Sequence, residues 1–382
     1  MAHRALITSI RLEKFKAFID TGTIPLKPIT LLVGKNSAGK SSLIKAILAA
    51  SQTARQARLD DSYFRLIGDF TNLGTYGDTV HGNDTTTNFS VEFEILGPIP
   101  DKNSKYRFRY AFSRNEKNSL GTSLTGVEAY YNNNFICSAR KPIKKDTGRR
   151  SLGIRLGYTR ITGVANFAER GEDMNVHQRF IQKLRSAMEM VGEGLDENIQ
   201  GDVEMQDRLY LNDFALSLSR APKSSKKPSF RVNFGEANEL LQPFVGATES
   251  ASIQLDRTLT RTIYLGPLRD EPSREARLAQ SSGNRIGIKG EDLATMLHLR
   301  TSNPEFMKKF NSHLQSLGVA DSAITSPSYM RGKDGKEVET GFIKILLEHA
   351  GATRSLMDLG FGTSQVLPIV FELSLRRDRL LI

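Results

Sequence analysis

Gly34-Lys35-Asn36-Ser37-Ala38-Gly39-Lys40-Ser41 fits G-x-x-x-x-G-K-[ST] at every fixed position, and no other stretch constrains the fold as tightly. Glycines in such a loop let the backbone wrap closely around an anion while successive N–H groups point inward. A helix starting just after the loop adds the positive end of its dipole. The flanks match this frame. Ile29 to Val33 is a short continuous apolar run that suits a buried central strand. Leu43, Ile44, Ile47 and Leu48 recur at helical spacing, followed by Ala49, Ala50 and a polar tail toward Arg58. Strand, glycine loop and helix in this order predict an α/β fold built around a bound nucleoside triphosphate, ATP. Lys40 is expected to bridge the β- and γ-phosphates and Ser41 to coordinate Mg²⁺, with Ser42 a helper by position. A glycine turn entering a helix would account for the glycines, but not for the Lys-Ser pair inside that frame.

Elsewhere the pattern divides into recognisable pieces. Ala5 to Leu12 carries Leu6, Ile7, Ile10 and Leu12 as a strand signal. From Phe89 to Tyr131 alternation takes over, with Phe89, Val91, Phe93 and Ile95 on one face, the mark of antiparallel sheet. Val176, Phe180, Ile181, Leu184, Met188 and Val191 predict an amphipathic helix between Met174 and Val191, stopped by Gly192 and Gly194. A second is expected from Glu305 to Leu317, where Phe306, Phe310, Leu314 and Leu317 line up before Gly318. Lys141 to Gly157 and Pro222 to Pro228 are polar, basic and rich in turn formers, and read as loops. The sequence shows no internal repeat and no heptad run long enough for a coiled coil.

Composition narrows the class. A chain of 382 residues that is 39% apolar and 25% charged can bury a proper core and is expected to fold as a water-soluble globule. Its one cysteine, Cys137, excludes an intrachain disulfide framework. No Cys-x-x-Cys, His-x-x-x-His or His-Glu-x-x-His supports zinc. With no signal-peptide core and no run of 18 apolar residues, the expected location is the cytoplasm and no membrane partner is expected. The net charge of +11 is partly local. Arg140, Lys141, Lys144, Lys145, Arg149, Arg150, Arg155 and Arg160 face only Asp146, and Arg220, Lys223, Lys226, Lys227 and Arg231 form an acid-free run. Such clusters can neutralise DNA or RNA phosphates, and equally they can be solvated loops.

Ile10-Arg11-Leu12-Glu13-Lys14-Phe15-Lys16-Ala17-Phe18, then Pro28 to Gly34 and the loop ending Gly39-Lys40-Ser41-Ser42-Leu43, resemble the opening of RecF/SMC-like ABC ATPases. Phe70-Thr71-Asn72-Leu73-Gly74-Thr75-Tyr76-Gly77-Asp78-Thr79-Val80-His81 and Tyr264-Leu265-Gly266-Pro267-Leu268-Arg269 are similar to the AAA-ATPase branch common in bacterial anti-phage systems and related to the OLD ATPases. The likeness covers both ends of the chain and leaves Gly97 to Thr260 unplaced. It implies a P-loop NTPase of the ABC/SMC-head type, with an antiparallel β lobe and an inserted α/β region. The expected domains are an N-terminal part of the ATPase core (1–96), a β-rich and helical insertion with the basic loops (97–260), and a C-terminal part of the core (261–382).

Gly360, Gly362, Thr363, Ser364 and Gln365 open a helix near the C-terminal end and resemble the ABC signature segment. In that family the signature of one subunit closes over the γ-phosphate held by the P-loop of another, which implies a homodimer or higher homo-oligomer. By itself the segment also reads as a glycine turn before a core helix. The sequence departs from the family pattern after this helix. The strand that should end in the Mg²⁺-ordering acid and the water-activating carboxylate begins at Arg379-Leu380-Leu381-Ile382, and no such acids follow. Ile345-Leu346-Leu347-Glu348 precedes the signature and reads better as core strand. The expectation is a shortened product, or a chain that relies on another polypeptide for these groups, binding ATP with little hydrolysis of its own.

The resemblance implies an ATP-driven switch in anti-phage defence, acting beside a nuclease or other effector. Two further readings are a RecF-like DNA repair or replication ATPase and a transporter-type ATPase, the latter disfavoured by the opening segment and the basic balance. Nuclease activity in the chain itself would need clustered carboxylates. The candidates, Glu92 with Glu94, Asp270-Glu271 and Glu291-Asp292, read as surface charge.

Overall fold

In the computed structural model the described residues are 7–55, 64–97, 104–116, 121–140, 154–156, 209–212, 215–217, 229–230, 250–267, 269–278, 285–375 and 379–382. The chain divides into two units, Met1–Thr262 and Ile263–Ile382.

The first unit is organised by an antiparallel sheet. Its strands are β1 (Ile7–Phe15), β2 (Phe18–Asp20), β3 (Ile24–Pro25), β4 (Phe89–Leu96), β5 (Lys105–Arg114), β6 (Thr122–Tyr131), β7 (Asn134–Arg140) and β8 (Ile154–Leu156). They lie in the order β2-β1-β4-β5-β6-β7-β8, with β3 also on β1, so the sheet runs without a break across residue 97. Alternation places Phe89, Val91, Phe93 and Ile95 of β4 beside Phe112, Tyr110, Phe108 and Tyr106 of β5, all buried. Phe15, Phe64, Phe89, Phe112 and Tyr76 form an aromatic cluster with centroid spacings of 5.0 to 5.7 Å. The Tyr76 hydroxyl donates to the carbonyls of Thr87 and Phe112 at 2.7 and 3.0 Å, so its polar tip is satisfied inside the core.

The opposite face of the sheet carries a lattice of charge. Glu94 accepts from Lys105 and from Thr8, Glu92 faces Arg107 at 3.7 Å, and Arg109 joins Glu13 to Glu128. Glu92 and Glu94 are therefore buried and paired across strands, which corrects the surface-charge reading and leaves no chelating pair. Burial holds the Glu92 carboxyl above the usual carboxylate range, and its arginine neighbours oppose that shift.

Helix α1 (Lys40–Arg55) starts at the phosphate loop and soon enters the core, buried on nearly every side from Ala46 to Ala54. Its buried polar groups are all met. Ser51 and Thr53 donate to carbonyls one turn back. The Gln52 amide donates to Arg65 O and accepts from the N–H groups of Phe70 and Thr71. A short helix, α2 (Tyr76–Thr79), is closed by a capping box between Thr75 and Asp78. A further helix, α3, covers 250–260. A small sheet in the order β10 (Ala215–Ser217), β9 (Leu209–Asn212), β11 (Ser229–Phe230) lies within the sequence expected to be an insertion. Of the expected loop from Lys141 to Gly157, residues 154–156 pair with β7 as β8, since a partner strand supplies the hydrogen bonds that composition does not reveal. The rest of that loop, Pro222 to Pro228 and the helix expected between Met174 and Val191 lie outside the described residues.

The second unit has its own core. A sheet of β12 (Ala276–Arg277), β13 (Ser322–Arg331), β14 (Glu337–His349) and β15 (Ala352–Ser355) packs with α4 (Leu293–His298), α5 (Pro304–Ser316) and α6 (Phe361–Ser374). α5 follows its sequence signals closely. Asn303 caps it by accepting from Phe306 N, Pro304 opens it, and Gly318 follows it at a φ of +64°. Phe306 and Phe310 pack on Phe371 of α6 at 5.3 and 6.3 Å. Ile345 to Glu348 lies in β14 as core strand, with Ile345 and Leu347 buried. Residues 263–265 and 380–382 run side by side in a parallel ladder.

Candidate nucleotide site

One expectation fails at the entrance to the phosphate loop. Residues 29–33 form no strand, and Ile29, Leu31 and Val33 are 83%, 82% and 87% exposed. A strand needs a neighbour to take its N–H and C=O groups. Among the described residues, hydrogen bonding from 27 to 33 is local, between the Lys27 backbone and the Thr30 hydroxyl. An apolar run records the preference for burial and not the presence of a partner.

The loop itself has the curled backbone that its glycines predict. Gly34, Ser37 and Gly39 have φ of +152°, +64° and +90°. Gly34, Lys35, Asn36, Ser37 and Ala38 are exposed, Gly39 is buried and Lys40 half-buried. Ser41 is exposed and Ser42 half-buried on the first turn of α1, where backbone N–H groups have no intrahelical carbonyl to reach. The Lys40 ammonium donates to the carbonyls of Gly34 and Lys35, both at 2.6 Å, so it closes the loop from within and stands where phosphate oxygens would replace those carbonyls. For Mg²⁺ the residues present fit: the Ser41 hydroxyl is a hard oxygen on the exposed side of the helix start, and the ion would neutralise charge on the phosphates.

Two of the segments that carry the family resemblance, Ile10 to Phe18 and Phe70 to His81, meet each other beside this loop. Lys16 stands at a φ of +48° between β1 and β2, its N–H donating to Thr79 O and its ammonium to Leu73 O and Asp78 O, while His81 Nδ1 meets Lys16 O at 2.8 Å. Burial and the nearby Lys45 lower the Lys16 pKa. Residues 70–81 thus hold the β1–β2 turn, and Phe18 from that turn lies against Gly39. A Cβ at Gly39 would fall 2.4 Å from the Phe18 ring. Gln52, which anchors 65–71 on α1, and Phe18 were not legible as site residues, because a glutamine in a helix and a phenylalanine in a strand have ordinary structural uses.

The signature-like residues lie in the second unit. Gly360 is the N-cap of α6 without a side-chain cap bond, and Phe361, Gly362, Thr363, Ser364 and Gln365 make its first turns. Gly360 and Gly362 are exposed with open space where a Cβ would stand, and Ser364 donates back to Phe361 O. The Arg269 Nη1 donates to Gln365 Oε1 at 3.5 Å, joining the Tyr264–Arg269 segment to this helix. Of the nucleic-acid candidates, Arg140 ends β7 and Arg155 lies in β8. Lys141, Lys144, Lys145, Arg149, Arg150, Lys223, Lys226 and Lys227 lie outside the described residues. Among the described residues no helix is long and apolar enough to cross a membrane.

Residues 29–131 match a family described as "AAA domain, putative AbiEii toxin, Type IV TA system". None of the curated proteins matches the sequence. Among solved structures, the Smc head domain of Pyrococcus furiosus, with an extended coiled coil and bound to the C-terminal domain of ScpA, is similar at 12% identity. That match covers 97% of this chain and 78% of that one, with a TM-score of 0.30. The curled loop with its Lys-Ser pair at the start of α1 lies within the residues that match this AAA-domain family, and the mixed α/β architecture fits a P-loop NTPase fold.

Proposed function

We propose that this chain is the ATP-binding switch subunit of a bacterial anti-phage system. ATP and Mg²⁺, held by Gly34 to Ser42 of one copy, are closed over by Gly360 to Gln365 of a second copy, and the closure is passed to a nuclease or other effector. The observation that carries this reading is the loop at Gly34–Ser41, curled by three positive φ values around a lysine that already occupies its mouth. The exposed, small-residue start of α6 supports the second half, because an uncapped helix N-terminus suits a phosphate approaching from outside. The family matched over residues 29–131 is described from a toxin–antitoxin system, in keeping with an effector under control.

Light scattering with a non-hydrolysable ATP analogue and Mg²⁺ tests the switch. The wild-type chain is expected to double in mass, and Lys40→Ala to lose both nucleotide uptake and the mass change. A wild-type mass that ignores the analogue would sink the switch, and unchanged affinity in Lys40→Ala would sink the site.

A further inference from the structure

The sheet of the second unit has an edge that is open at one end. Among the described residues β13 pairs with β14 alone, whereas β14 carries β12 and β15 on its other side, so β13 turns one row of backbone N–H and C=O groups outward. Most of that row is closed. The Ala323 N–H donates to Asn311 Oδ1, and Pro327 has no N–H to offer. At the tip the Gly332 N–H donates to Lys336 O, so Met330 and Gly332 direct their backbone groups to β14, and the alternate residues, Tyr329 and Arg331, direct theirs outward. The tip reaches past β12 and β15, which meet β14 at 342–343 and 346–349. Tyr329, Met330 and Val338 are 56%, 58% and 49% exposed there. A two-stranded ribbon with exposed apolar side chains and an open edge is completed by a further strand.

We propose that this strand is β13 of a second copy, added antiparallel about a two-fold axis at Met330. Tyr329 then faces Arg331 of the other copy and exchanges both N–H···O bonds with it, twice by symmetry, since these are the residues whose groups point outward. The side chains agree with this register. Within one chain Tyr329 lies opposite Glu339, Arg331 opposite Glu337 and Met330 opposite Val338. One face of the joined ribbon therefore reads Val338, Met330, Met330, Val338, all apolar. The other reads Glu339, Tyr329, Arg331, Glu337, with each guanidinium set between a carboxylate of its own chain and the tyrosine ring of the other. The outer edge of β14 fails the same test. A two-fold axis at Val338 would set Glu337 against Glu339 of the other copy, carboxylate facing carboxylate. The β13 contact needs no nucleotide, is separate from closure over ATP, and is short enough to be weak.

Light scattering of the nucleotide-free chain, at concentrations on the order of 10–100 μM, should show the mass rising toward twice the 42.5 kDa of one chain, with Lys40→Ala behaving alike. Tyr329→Pro removes an outward N–H and leaves the bonds to β14 in place. It should weaken the dimer roughly ten- to a hundredfold while circular dichroism stays that of wild type. Cross-linking reads the register directly. In a Cys137→Ser background, Met330→Cys sets its two Cα atoms about 4.5 Å apart, within disulfide reach, and Val338→Cys sets them about 14 Å apart. Mild oxidation should then give a covalent dimer for Met330→Cys and little for Val338→Cys. A wild type that stays monomeric across that range overturns the proposal and leaves the edge to a strand of another protein. Cross-linking as strong at Val338 as at Met330 overturns it, as does a folded Tyr329→Pro chain that dimerises like wild type. Should Tyr329→Pro unfold, the two cysteine variants decide.

Discussion

At Gly39 the backbone stands at a φ of +90° with the Phe18 ring where a side chain would begin, so two separate constraints exclude any other residue. Gly39→Ala must strain the backbone or push the ring aside, a penalty of about 1–3 kcal/mol for the dihedral alone. The expected outcome is a lower melting temperature and loss of labelled-ATP binding; tight binding in a folded Gly39→Ala chain would contradict the account of the loop. Asp20 shows the electrostatic side of the same hairpin. Bidentate bonds from Arg11, with the Gly22 N–H, hold its carboxyl down at about 2. A depressed folded pKa contributes stability above the unfolded value near 3.8 that is lost as pH falls toward 2. Asp20→Asn should therefore flatten the acid-unfolding curve between those values by lowering stability at neutral pH and not below pH 2, a small loss because the pair is exposed.

Among the elements, α1 has two roles in one span of sixteen residues: its first turn presents backbone N–H groups to the loop, and the remainder is core. Gln52 links the two by holding Arg65 O and the N–H groups of Phe70 and Thr71, with Gly68 so close that a Cβ there would lie 2.7 Å from the amide. Gln52→Leu leaves those three backbone groups unmet, at about 1–3 kcal/mol for each one that water cannot reach. Chemical denaturation should show a loss of several kcal/mol, on the order of that sum, with faster amide exchange at 66–73. A neutral substitution would mean that the segment is held by something else. For α5 the apolar spacing and the stop at Gly318 were legible in the sequence, whereas the Asn303 cap and the Pro304 start came only with the structure. The charged face of the sheet was not legible either. Glu92 and Glu94 look like surface residues until β5 places Arg107 and Lys105 beside them.

For the whole molecule, the net charge of +11 bears on partners and not on fold. A RecF-like reading, in which the basic stretches at Arg140 to Arg160 and Lys223 to Arg231 grip DNA, predicts affinity that falls steeply with salt and rises with ATP. Replacing Lys223, Lys226 and Lys227 by Gln should reduce the slope of log affinity against log salt by about 2–3 on duplex DNA. A slope near zero in the parent chain would remove that reading and leave the effector switch. ATP binding should also register as stability. At a hundredfold its dissociation constant, a ligand that binds only the folded state adds about 2.7 kcal/mol, and Lys40→Ala should abolish the gain.

What the sequence by itself determined is local: the phosphate loop, the helix it opens, the spacing and stop of α5 and the alternation of the β4–β6 strands all follow from residues within a few positions of one another. The tertiary structure decided what depends on distant neighbours. Residues 29–33 carry the pattern of a buried strand yet stand exposed, because burial needs a partner that no local pattern specifies. The segment 70–81, conspicuous but unexplained as a sequence, acquires its role only when Lys16 is seen bonded to its carbonyls and Phe18 lies against Gly39. Periodicity and motif chemistry act along the chain, whereas hydrogen-bond satisfaction and packing act across it.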